Sequence, residues 1–147
     1  MIDVAAVSRA LRAPLAGGPI PADRIGLRGQ PFTPPKGDTV HARVSITWER
    51  QGKTGPALWE GAGMLQILVQ APLGVEEEAL LVEVAKVAAL YGPHVDGAAL
   101  DYGVRVVQVA VLGTVSLDGR GADTAASAAQ WIAIPVQVDF RVERIEG

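Results

Sequence analysis

The stretch that most constrains this chain lies near its C-terminus, "QWIAIPVQVDFRVER", Gln130 to Arg144. Ile132, Ile134, Val136, Val138, Phe140 and Val142 occupy every second position, while Trp131, Gln137, Asp139, Arg141 and Glu143 take the alternate ones. Successive strand side chains point to opposite faces, so this pattern specifies a long strand with one buried face. Such a strand requires neighbours to pair its backbone and a second layer to cover its apolar side. Pro135 falls on the polar set but has no backbone donor, which predicts an edge position or a bulge there.

The neighbours are visible upstream. In "VHARVSITWE", Val40, Ala42, Val44, Ile46 and Trp48 alternate with His41, Arg43, Ser45, Thr47 and Glu49. After the turn-rich "RQGKTGPALWEGAG" comes a second strand at about 63–71, with Leu65, Ile67, Val69 and Ala71 as its apolar set. The two read as an antiparallel hairpin with a long tip at 50–62. "VRVVQVAVLGTVS" from Val104 is apolar on both faces over part of its length, which predicts a central strand.

Two segments have helical spacing. Val4, Val7, Ala10 and Leu11 define a short helix from Asp3 to about Leu15, with Asp3 as N-cap and Gly17-Gly18 beyond its end. Leu80, Val84, Val87, Ala88 and Tyr91 form the stripe of a second helix from Val75 to Tyr91, widened by Leu81 and Ala85 and stopped by Gly92-Pro93. The order is α-β-β-α-β-β. It predicts an α+β fold: a mostly antiparallel four-stranded sheet with helices on one face. Residues 1–147 are read as one domain without internal repeats, a size that buries roughly 68–70% of the unfolded surface. Between the first helix and the first strand, residues 17–37 hold five prolines and five glycines. Ile20, Ile25, Leu27 and Phe32 anchor that segment to a surface, its own or a partner's. "LDGRGADTAAS" reads as a polar loop.

Composition narrows function. The absence of cysteine excludes disulfides, thiolate nucleophiles and thiolate metal clusters. A net charge of -3 argues against an electrostatic grip on nucleic acid. The start "MIDVAAVSRALRAPLAGG" lacks the pattern of a signal peptide, and no apolar run approaches about 20 residues, so a soluble protein without membrane contact is expected.

Glu76, Glu77 and Glu78 raise the question of a metal or an acid–base site. Adjacent helical residues diverge by about 100°, so three consecutive carboxylates splay apart and do not chelate one ion. Their charge instead favours the positive end of the helix. His41 lies on the polar side of a strand; His94 sits in a loop with Asp96 and Asp101, the composition of a solvated turn. Neither a nucleophile elbow nor a phosphate loop is present. No catalytic, cofactor-binding or metal-ligating residue is assigned. The candidate residues are those of an interface: Phe32 in the proline-rich loop, Trp59 at the expected hairpin tip, and Gln137, Asp139 and Arg141 on the polar side of the last strand. The loops at 17–37, 50–62 and 116–128 are the segments expected to contact partners.

The layout from Val40 to Glu143 resembles the tail terminator family of long-tailed bacteriophages and prophages. The resemblance rests on "GAGMLQILVQAPLGVEEEALLVEVAKVAALY", where a Gly-x-x-Gln strand runs through a Pro-x-Gly turn into an amphipathic helix, and on the terminal "WIAIPVQVDFRVE". These are architectural patterns and carry no catalytic signature. The resemblance implies a non-enzymatic virion component, assembled in the host cytoplasm. It would form a homo-oligomeric ring, a hexamer, at the tail–neck region. Its partners would be the tail tube protein and a head-completion protein, with DNA passing through the lumen unread. A head–tail connector or another minor tail protein is the nearest alternative; a small-molecule-binding or enzymatic α+β domain is a more distant one.

Overall fold

The computed structural model describes residues 1–30, 32, 40–72, 76–118 and 130–145. The terminal run forms β6, Gln130–Ile145. Its alternation sorts as expected, with Ile134, Val136, Val138, Phe140 and Val142 buried. Along one side β6 pairs antiparallel with β3, Leu58–Pro72, from Leu58 opposite Ile145 to Pro72 opposite Trp131. β3 pairs with β2, His41–Lys53, and β2 pairs in parallel with the short β1, Ile25–Leu27. On the other side of β6 lie β4, Arg105–Val111, and β5, Val115–Asp118. Two α-helices, α1 at Val4–Arg12 and α2 at Glu77–Tyr91, complete an α+β fold.

The expected four strands become six for two reasons. β1 emerges from the Gly- and Pro-rich segment, where Ile25 and Leu27 stand opposite Ala42 and Val44; three residues are too few to show periodicity. The expected single strand from Val104 is broken at Leu112-Gly113-Thr114 into β4 and β5. Its predicted central position is also corrected. β4 is an edge strand, and both its faces are exposed in part: Val107, at a register shift, on the open face and Val111, opposite Val136, on the helix-covered one. The central strands are β3 and β6.

That break explains Pro135. In an antiparallel strand the N–H and C=O of one residue face the same neighbour. The Pro135 carbonyl accepts from Leu112 N at 2.9 Å, so its missing donor faces the gap between β4 and β5. The proline is in a central strand, at a local edge within it.

The hairpin tip is shorter than expected. Strand pairing runs from Lys53–Trp59 inward, and Thr54 N donates to the Leu58 carbonyl at 2.9 Å, leaving Thr54 to Ala57 as the turn. The glycines of "WEGAG" therefore belong to a strand. A Cβ on Gly61 would lie 2.7 Å from the Trp48 ring, and one on Gly63 would lie 2.9 Å from Phe140. These two rings meet edge to face at 5.2 Å between centroids. The absence of side chains at 61 and 63 makes room for the bulkiest part of the core.

Both helices cover the same sheet face. Val7, Ala10 and Leu11 of α1 and Leu80, Val84, Val87 and Tyr91 of α2 are buried in one cluster with the inward sets of β2, β3, β4 and β6. Each such Val or Leu contributes roughly 1.5–3 kcal/mol by leaving water. Leu81 and Ala85 do not widen the α2 stripe; both are exposed. Asp3 caps α1 as predicted, accepting from Ala6 N at 3.1 Å. The Tyr91 hydroxyl donates to the Leu11 carbonyl at 2.6 Å, joining the helices. Tyr102 adopts a positive φ of 60°. Its hydroxyl accepts from Asp3 N at 3.0 Å, and the Arg144 guanidinium lies 3.4 Å from its ring centre. The hydrogen bond from Arg144, then that from Asp3, lowers the Tyr102 pKa below its ordinary value.

Candidate functional site

Among the described residues no helix lies on the other sheet face. Register places its side chains in rows running across β2, β3, β6 and β4. One row is Thr47, Met64, Asp139 and Gln108; the next is Ser45, Gln66, Gln137 and Ala110. On the opposite side of the first lies Arg50, Ala62, Arg141 and Arg105. A shallow depression of about 700 Å³ runs between these rows, bounded by Thr47, Arg50, Met64, Gln137, Asp139 and Arg141. Three of the five sequence candidates, Gln137, Asp139 and Arg141, thus come together here.

Their electrostatics suit contact. Gln137 Nε2 donates to Asp139 Oδ1 at 3.1 Å, fixing that carboxylate. Arg105 and Arg141 stand directly opposite each other, and cross-strand like charges are mutually unfavourable. Among the described residues, neither they nor Arg50 have an ion-pair partner. The row therefore offers guanidinium donors to an external carboxylate or phosphate.

The two aromatic candidates lie elsewhere. Trp59 is inside β3, opposite Lys53 and Arg144, half-buried against the edge of the core. Its expected place at the hairpin tip is corrected, because pairing with β6 carries β3 past it. Phe32 packs onto Gly26, beneath the Arg43 guanidinium at 5.4 Å. The described part of the 17–37 segment is thus anchored on the protein's own surface. Residues 31 and 33–37, the Leu73-Gly74 part of the Pro-x-Gly turn and the 119–128 part of the expected loop at 116–128 lie outside the described residues.

His41 was missed. Expected on the polar side of a strand, it is fully buried, with Nε2 donating to Gln70 Oε1 at 2.8 Å. Phe32 lies 5.9 Å from it and Trp131 4.9 Å, ring centre to ring centre. Those rings are distant in sequence, so no local pattern announced the burial. His94 Nδ1 donates to the Ala98 carbonyl at 2.8 Å and holds its own turn. Glu76, Glu77 and Glu78 are exposed, and Glu77 accepts from Thr114 Oγ1 at 2.8 Å. Among the described residues no three His, Asp or Glu side chains gather as a metal site. No helix among them is long and apolar enough to cross a membrane.

The fold defines an α+β protein with one sheet face covered by helices and the other, among the described residues, without one. No family model and no curated protein matches the chain. One solved structure, whose name conveys no function, is similar with a TM-score of 0.55 and 16% identity. The match covers 95% of this chain and 96% of that one, a likeness of fold.

Proposed function

We propose that the protein is a tail terminator: a ring that caps a completed phage tail tube, stops its polymerisation and presents a joining surface to the head. The observation that carries this reading is the placement of the two segments that resemble that family. The strand leading into α2 is β3, the terminal run is β6, and they pair over all 15 residues of β3 as the centre of the sheet. The open face supports it further, because a ring component needs surface beyond what covers its own core. Gln137, Asp139 and Arg141 on that face, with Trp59 and Phe32, are its intersubunit or lumen contacts. A net charge of -3 suits a channel that lets DNA pass without retaining it.

The test is negative-stain microscopy of tails assembled without the protein. Tubes of abnormal, variable length are expected. Tubes of normal, uniform length would overturn the proposal.

A further inference from the structure

We propose that the outer edge of β2, just beyond the end of β1, takes an extended peptide segment that carries an acidic side chain. β1 stops at Leu27, opposite Val44, whereas β2 runs on to Lys53. Arg28 N donates to the Val44 carbonyl at 3.1 Å, so Val44 turns its backbone groups toward the β1 side. Alternate residues of a strand turn theirs the same way, which puts the N–H and C=O of Ile46 and Trp48 on that outer edge. Among the described residues no backbone partner meets either of them there. An edge of this kind is a template for a further strand. The bulge between Trp48 and Arg50 ends its regular part, so the incoming strand is short.

The side chains around this edge specify the occupant. At the end of β1 a depression of about 270 Å³ is lined by Ser8 and Arg12 of α1, Arg28 and Gln30 after β1, and Ser45 and Ile46 of β2. Arg12 Nε donates to the Ser8 carbonyl at 3.3 Å, which anchors the guanidinium by one nitrogen and leaves two for a ligand. Among the described residues neither Arg12 nor Arg28 has an ion-pair partner. No carboxylate lines the depression. The nearest acids in sequence are Asp23, exposed in the turn before β1, and Glu49, exposed next to Arg50 beyond Trp48.

Two guanidiniums, two hydroxyls and an amide around one cavity suit a carboxylate. A small anion would use these groups and leave the strand edge unpaired. An extended chain with an acidic residue beside Ile46 uses both. In this mode of recognition main-chain pairing supplies affinity and the side-chain pocket supplies specificity. The contact involves neither the Gln137, Asp139 and Arg141 face nor a second copy, and it stands whether or not the ring reading does.

The test is titration of the isotope-labelled full chain with the synthetic peptide acetyl-Thr-Val-Glu-Val-Thr-amide, read by amide shifts and hydrogen exchange, with calorimetry for affinity. Shifts centred on the β2 edge and Arg28, slower exchange of the Ile46 amide, and binding that weakens as salt rises are expected. Replacing the peptide's Glu by Lys should lower affinity at least about tenfold through loss of the charge-assisted contact. Arg12→Gln/Arg28→Gln should do the same, with an unchanged circular dichroism spectrum. Methylating the peptide's backbone nitrogens should weaken binding as much, because the ladder is then blocked. Propionate binding as tightly as the peptide would reveal an anion pocket without strand pairing and overturn the proposal. So would peptide binding that the Lys peptide and the arginine variant leave unchanged, or no binding at all. An Ile46 amide already protected without peptide would also overturn it, by showing the edge closed. Dependence of that protection on protein concentration would identify a second copy as what closes it.

Discussion

Tyr91 shows how one residue carries both packing and polarity. Its ring is fully buried at the end of the apolar stripe of α2, and its hydroxyl is satisfied by the Leu11 carbonyl. Burial raises its pKa above the ordinary value of 10.0. Above pH 10 the unfolded chain releases this proton while the folded chain retains it. The unfolded state then binds fewer protons, and stability falls as pH rises. Tyr91→Phe should lose about 0.5–1.5 kcal/mol near neutrality with the hydrogen bond. Its decline in stability above pH 10 should be shallower than that of wild type. Urea melts at a series of pH values check both, and an unchanged alkaline slope would count against the assignment. Residue-level legibility was uneven. Asp3 was readable as a cap because capping is local; His41 was not, because its burial depends on Phe32, Gln70 and Trp131 arriving from other elements.

At the level of elements, periodicity was a good guide and breakers a poor one. The stripe of β6 emerged as written and that of α2 without Leu81 and Ala85, whereas the glycines of "WEGAG" suggested a turn where the core needed space beside Trp48 and Phe140. The double-sided apolar pattern of β4 signalled a central strand, although Val107 on one face and Val111 on the other are exposed at an edge. Alternation in β6 gives a sharp contrast at adjacent positions. Val138 is fully buried between Leu65 and Val109, while Asp139 lies on the open face. Val138→Asp strands a charge in the core at a cost on the order of 3–5 kcal/mol. Against a typical 5–15 kcal/mol stability that is about a third or more at mid-range, so a markedly lower melting transition, or none, is expected by circular dichroism. Asp139→Val, one residue away, should stay folded.

At the level of the whole molecule, strand order governs where the fold opens. β3 and β6 are paired on both sides and lie beneath the helices, whereas β1 is three residues long at one edge. Native-state hydrogen exchange should therefore find the slowest amides in β3 and β6, opening with global unfolding, and much faster exchange in β1. Equal protection of β1 and β3 would contradict this hierarchy. By itself the sequence determined what period and charge encode locally: the two helices, the buried faces of β2, β3 and β6, and the splayed geometry of Glu76 to Glu78. Tertiary structure alone decided which strands are central, why a proline is tolerated in β6, and what hides His41. The physical reason is range. Side-chain direction is set by the local backbone, but neighbourhood is set by pairings between residues far apart in the chain, and those leave no period to read.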